Sequence, residues 1–347
     1  MTWWRKLKTN RLAQLGAMLL IVLYLAALGA GFVAPYSPYE AQLNGSLLPP
    51  TQIYWRDADT GRFFPHVYPT TQGPVDLVTG DRELVVDRSQ PSPIRLLHRN
   101  EAGQLKLFDT AGPGRLNLLG TDEQARDQFS RLVHGSRVSL SVGLIGIAIS
   151  FPLGMIVGGL AGYFGGAVDA VLMRLVEVMM TIPGIYLLVA LAAVLPPGIS
   201  STQRFLLIVL ITSLIGWAGL ARVIRGQVLS IKEQDFVQAS RVMGGQPLYI
   251  ITRHILPQTA TYGIIAATLA IPGFILAEAV LSFIGLGIQQ PDASWGNMLS
   301  LATNASILVL QPWLVWPPAI LIVVTSLAFN LLGDGLRDAL DPRTLKQ

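Results

Sequence analysis

The sequence predicts an all-α polytopic membrane protein of six transmembrane helices, with a small β-rich insert on the outer side. Three observations carry this. Of 347 residues, 51% are hydrophobic and only 13% charged, against about 25% charged in soluble domains. Six apolar stretches approach or exceed the ~20 residues that cross a bilayer. Lys and Arg crowd alternate connections, the pattern that sets orientation in membranes.

The spans are expected near Leu12–Ala34, Val138–Tyr163, Val168–Leu195, Phe205–Leu220, Tyr262–Leu286 and Leu314–Leu332. Arg5, Lys6, Lys8 and Arg11 precede the first. They resemble the start of a signal peptide, but the apolar run is long and "GAGFVAPYSP" is a poor cleavage site, so an uncleaved span is expected. With the N-terminus inside, the inner segments hold Arg222, Arg225, Lys232, Arg241, Arg253, Arg337, Arg343 and Lys346. The short outer loops hold almost no Lys or Arg. Both termini are therefore expected in the cytoplasm of a multi-pass protein of the cytoplasmic (inner) membrane, with the lipid bilayer its first partner.

Between the first two spans the membrane pattern stops. Ten of the 22 prolines fall between Pro35 and Gln128. Three units, "IYWRDADTGRFF", "VDLVTGDRELVV" and "IRLLHRNEAGQLKLF", each flank a Gly-containing turn with apolar residues, which predicts β-hairpins. Residues 1–36 thus read as the cytoplasmic N-terminus and first helix, 37–128 as an extracytoplasmic insert, 129–337 as a five-helix core with a polar loop at 232–258, and 338–347 as a cytoplasmic tail.

The sequence has no G-x-x-x-x-G-K-[ST] phosphate loop, no H-E-x-x-H and no G-x-S-x-G. There is no cysteine, which excludes disulfides and thiolate metal sites, and the four histidines are far apart. Nothing argues for an enzyme, a metal site or a bound nucleic acid. Within the spans, Gly154, Gly158 and Gly162 recur every fourth residue, a spacing that lets helix backbones approach closely. Arg174 and Glu177 share a helix face and are expected to pair, either structurally or in gating. Glu278 is more central and a candidate for a pathway role or an interhelical hydrogen bond.

The polar break "QDFVQASRVMGGQPLYIITRHILPQ", residues 234–258, predicts two short helices with a bend. Asp235 is expected as N-cap, with Gln238 completing a capping box. Helix one should run Phe236–Met243, and Gly244 should take the left-handed position after it. Pro247 suits the first turn of the second helix, and Pro257 its end. Phe236, Ala239, Val242 and Met243 form an apolar patch for a soluble partner or for the membrane surface.

This stretch resembles the EAA loop of ABC-importer permeases: E-A-A, three residues, Gly, nine residues, an apolar position, one residue, Leu-Pro. Gln238-Ala239-Ser240, Gly244, His254 and Leu256-Pro257 occupy those places, with Gln for Glu and Ser for the second Ala. "LLGTDEQARDQFSRLVHGSRVSLSVG", "AEAVLSFIGLGIQQPDASWGNML" and "NLLGDGLRDALDPR" are similar to blocks of the dipeptide, oligopeptide and nickel permeases, specifically the C-type subunit. The long insert resembles a subgroup that includes microcin-type peptide importers. The resemblance implies a type I importer permease fold and a partner permease of the B type. It also implies two ATP-binding subunits and an extracytoplasmic substrate-binding protein. No cofactor is implied on this chain, since ATP and Mg²⁺ would bind the ATPases. The coupling residues would be Asp235, Phe236, Gln238, Ala239, Ser240, Arg241, Val242, Met243 and Gly244. Peptide is the expected cargo; nickel or another small solute shares the family. A secondary transporter is the competing class, but no repeat relates the two halves as such folds commonly require. A membrane-anchored receptor would need only one span.

Overall fold

The computed structural model describes residues 6–57, 61–75, 82–100, 103–196 and 198–340. The chain is predominantly helical. Among the described residues, five helices are long and apolar enough to cross a membrane: α1 (Arg11–Leu28), α3 (Gln128–Phe164), α6 (Ser201–Ile231), the run Pro247–Phe283, and α12 (Pro312–Leu340). A short helix, α2 (Ala30–Val33), follows the first.

The expected third span, Val168–Leu195, is not one helix. α4 (Gly166–Thr181) and α5 (Gly184–Ala193) meet at 82°. The cause is local. A proline disfavours the helical region for the residue before it, and Ile182, before Pro183, is extended at φ −81, ψ 122. Counted as one span, the bent pair would be a sixth.

The chain forms two compact units. The first comprises Met1–Ile21, Leu140–Leu281 and Val323–Gln347. Glycines set its closest helix contacts. A Cβ at Gly158 would lie 2.5 Å from the Ala221 carbonyl oxygen, and one at Gly162 2.7 Å from Val228 Cβ. α3 and α6 therefore touch backbone to backbone, as the four-residue glycine spacing predicts. Gly16 does the same for α1 and α12, where a Cβ would meet the Ala328 oxygen at 2.6 Å.

The second unit comprises Val22–Ser139 and Ser282–Ile322. Its six strands are β1 (Tyr54–Arg56), β2 (Phe63–Val67), β3 (Thr70–Val75), β4 (Arg82–Val86), β5 (Ser92–Arg99) and β6 (Leu105–Thr110). They form a four-stranded sheet in the order β1-β2-β5-β6 and a separate β3-β4 pair. β1-β2, β3-β4 and β5-β6 pair antiparallel. The tips of all three expected hairpin turns fall wholly or partly outside the described residues.

Two cations tie this unit to the end of the first helical run. A helix leaves its last four carbonyls without intrahelical partners, and positive charge is favoured there. Lys106 of β6 donates from Nζ to the Gly31 and Ala34 carbonyls, both at 2.9 Å. Arg137 of α3 donates to Ala27 at 2.6 Å and Leu28 at 2.9 Å. The buried position of Lys106 holds its pKa below the usual lysine value.

Candidate functional site: the coupling loop

Helix α7 spans Asp235–Val242 and α8 spans Pro247–Ile250, both within the first unit. α7 ends in a Schellman turn. The Gly245 N–H donates to the Ser240 carbonyl at 2.9 Å and the Gly244 N–H to that of Arg241 at 3.0 Å, the paired bonds of that motif. Gly244 takes φ 80 as its place in the sequence predicts, and open space surrounds its Cα. Gly245 is tighter: a Cβ there would sit 2.8 Å from the Ser240 oxygen. The local sequence pointed to Gly244 alone.

Two expectations for the loop are corrected. Asp235 is the first helical residue, not the N-cap; Gln234 precedes it in the extended region, without a side-chain cap. Gln238 reaches instead to the Lys232 carbonyl at 2.9 Å, so no capping box forms. Nor does Pro257 end the second helix. α8 passes through a π-turn, Ile251–Ile255, into α9 (Leu256–Phe283). The Leu256 N–H bonds back five residues to Ile251. This widened turn lies where Pro257 would otherwise press on the helix without an N–H to give.

The loop has an inward and an outward side. Inward, Val237, Ile250, Ile251 and Ile255 are buried with Tyr163, Ile224, Val228 and Ile231, at the ends of α3 and α6. Ser240 is buried too. The Arg241 guanidinium lies over the Tyr163 ring, 4.7 Å from its centroid. Lys232 Nζ donates to the Gly162 carbonyl at 3.1 Å, and Arg225 of α6 pairs with Asp169 in the first turn of α4. Of the nine candidate coupling residues, Ser240 is therefore buried and Arg241 packs on Tyr163.

Outward, Phe236, Ala239, Val242 and Met243 are exposed; Val242 is 88% and Met243 81% accessible. Leu248 and Tyr249 of α8 extend the exposed apolar surface. The sequence reading missed them because it drew its apolar patch from the first helix alone. His254 lies beside both aromatics, its ring 6.3 Å from Phe236 and 5.5 Å from Tyr249.

The intramembrane candidates separate. Arg174 and Glu177 pair at 3.3 Å, yet their side chains are 80% and 51% exposed. They turn away from this chain's own interior, contrary to the burial expected of charges in a span; α4 turns that face outward from the chain. Glu278 is fully buried within the first unit, so it does not line an open surface of this chain.

One polar cluster in the second unit escaped the sequence reading. Asp122 accepts from Arg126 Nε at 2.8 Å and pairs with Arg131 at 3.3 Å. Both arginines donate to Gln290 Oε1, at 2.6 and 2.9 Å, and Arg131 also reaches the Pro291 and Pro38 carbonyls. All three ionic side chains are buried. This network joins "GTDEQARDQFSR" to "QQPD", two family-like blocks whose residues lie 160 positions apart. Their polarity was the available signal, but sequence spacing could not pair them.

Comparison with known proteins places the chain in a family. The family described as "Binding-protein-dependent transport system inner membrane component" matches residues 150–346, and "N-terminal TM domain of oligopeptide transport permease C" matches residues 2–50. The dipeptide transport system permease protein DppC of Bacillus subtilis is 34% identical over 98% of this chain and 84% of its own length. The oligopeptide transport system permease protein OppC of Haemophilus influenzae is 40% identical over 65% of this chain and 70% of its own. Among solved structures, a chain of the MetNI methionine ABC transporter in inward-facing conformations matches with a TM-score of 0.40 at 20% identity, over 59% of this chain and 96% of that one, too remote a likeness to bear on this chain. The chain belongs to the family of binding-protein-dependent transport system inner membrane components, as a multi-pass permease of the DppC/OppC-like kind.

Proposed function

We propose that this chain is the C-type permease of an ABC importer that carries short peptides inward across the cytoplasmic membrane. The observation that carries the reading is the α7 corner: an exposed apolar helix face, closed by Gly244 at φ 80, on a chain whose relatives are named for dipeptide and oligopeptide transport. In this reading the bent pair α4–α5 is one span and the chain crosses six times, with both termini cytoplasmic. Residues 37–128 lie outside, 129–337 form the permease core, and 338–347 form a cytoplasmic tail. A B-type permease completes the pathway. Two ATPase subunits bind ATP and Mg²⁺, one of them gripping α7, while this chain does no hydrolysis and holds no cofactor. A substrate-binding protein delivers the cargo from outside. Phe236, Ala239, Val242 and Met243 contact the ATPase, and Ser240, Arg241 and Gly244 hold them in place.

The test is uptake of a labelled dipeptide by cells expressing the assembly with and without its ATPase subunits. Uptake that requires the ATPase and is competed by unlabelled peptides supports the reading. Uptake that persists without the ATPase would assign the chain to the secondary transporters.

A further inference from the structure

The four-stranded sheet has one face whose two ends differ. At one end it is occupied. Lys106 reaches the carbonyls that end the first helical run, and Phe108 packs on Phe129 of α3 at 5.8 Å between ring centroids. Residues directly opposite in a ladder share a face, as do residues two apart. Leu96 is opposite Phe108. Val67 is opposite Ser92, so alternation along each strand puts Phe63 of β2 and Leu96 of β5 on that same face. Trp55 stacks on Phe63, centroids 6.0 Å apart. So the face that begins on the ends of α2 and α3 continues across β5, β2 and β1, about 14 Å at the usual strand spacing. There it is bare: Phe63 is 78% and Leu96 74% exposed, and Trp55 is exposed as well. Leu97 is also exposed and holds φ 50, a conformation costly for a leucine. Arg56, opposite Phe63 in the β1-β2 ladder, is exposed beside it.

We propose that this part of the sheet face rests on the bilayer surface, with Trp55, Phe63 and Leu96 in the interfacial layer and Arg56 on an anionic headgroup. The occupant follows from continuity. The same face is tied by Lys106 to α2, the short helix that follows the first membrane span, so it starts near the level of the interface. Aromatic residues favour that layer, and basic residues beside an apolar face strengthen binding to anionic lipid. The insert would then lie flat beside the permease rather than stand away from it. This rests on Arg11–Leu28 being a span.

The absence of native cysteine permits single nitroxide labels on the full chain. The chain is reconstituted in vesicles of phosphatidylethanolamine and phosphatidylglycerol, with labels at F63C, L96C, S89C and I21C. Collision with oxygen is compared with collision with a water-soluble nickel chelate. The expected oxygen-to-chelate ratio at positions 63 and 96 is several-fold above that at the exposed turn residue 89 and below that at 21, within the span. Ratios at 63 and 96 equal to that at 89 would overturn the proposal. So would labels that are aqueous in vesicles and become shielded only when the partner permease or binding protein is added, which would assign the face to a protein. A water-exposed label at 21 would instead strike at the span itself, and at the permease reading beneath the proposal.

Discussion

The Arg241 guanidinium sits 4.7 Å above the Tyr163 ring, and its Nε lies 3.4 Å from the Tyr163 hydroxyl. This places the outer helix α7 on the last turn of α3 through one residue on each side. Partly exposed cation–π contacts contribute ~0.5–2 kcal/mol, enough to fix the angle of a two-turn helix without making it essential for folding. Arg241→Ala and Tyr163→Leu should therefore leave membrane levels unchanged and partly uncouple ATP hydrolysis from uptake, while Tyr163→Phe, which keeps the ring, should stay close to wild type. The ratio of ATP hydrolysed to substrate accumulated measures this; equal losses in Tyr163→Phe and Tyr163→Leu would show that the ring is not what couples.

The glycine contact between α3 and α6 carries a separate prediction. With the Ala221 oxygen 2.5 Å from where a Gly158 Cβ would be, any side chain must push the helices apart. Overpacking of this kind costs about 1–3 kcal/mol. Gly158→Ala should lower the thermal stability of the purified permease, and Gly158→Leu should lower it further. By contrast Gly226, in the same helix pair but with open space at its Cβ, should accept alanine with little effect in the same melting assay.

Asp127 gives a pH dependence with a defined sign. Its carboxylate caps α3 through the Ser130 N–H at 2.7 Å, but burial pushes its pKa from 3.8 up to about 6. The folded state thus holds a proton that the unfolded chain releases, so stability falls as pH rises from about 4 to about 6, and the loss is complete above 6. A shift of about two units corresponds to roughly 2–3 kcal/mol. Asp127→Asn retains a capping oxygen and should flatten the melting profile across that window, with higher stability at pH 7. A profile as steep as that of the wild type would assign the slope to another group.

Topology is tested by two single cysteines. Ser89→Cys should react with an impermeant thiol reagent in intact cells, and Thr344→Cys, outside the described residues, only after the cells are opened. Reaction of Thr344→Cys in intact cells would invert the proposed orientation.

Much of this fold can be read from the sequence wherever one residue type has a single local meaning. The Gly154-Gly158-Gly162 spacing marked a helix contact because a missing Cβ matters only where another backbone approaches. Gly244 marked a helix end because few other residues take φ near 80 without strain. Pro183 was a signal of the break too, but the third span was drawn straight through it. The Asp122-Arg126-Arg131-Gln290 network could not be read in this way. Its partners lie 160 residues apart, and a local pattern says only that each is polar. The outward patch of α7 was legible, but the packing of Ser240 and Arg241 on its inner side was not. Helical periodicity gives two faces, but only packing on Tyr163 and Ile231 tells which one is buried.

The central claim is that α7, held at its corner by Gly244, is where an ATPase subunit grips this permease. Valine at 244 would meet no neighbour, so its effect comes from backbone strain of about 1 kcal/mol or more at φ 80. Ala239→Asp leaves the backbone alone and puts a charge into the exposed apolar face. Loss of that contact, at ~25 cal/mol per Å² of apolar area, would weaken association by orders of magnitude. The most direct measurement is co-purification of the ATPase with each variant, alongside membrane levels of the permease and retention of its partner permease. The account predicts normal insertion and pairing with the ATPase lost from both variants. Normal ATPase retention and normal uptake in both would contradict it, and would leave α7 as a helix lying on the membrane surface.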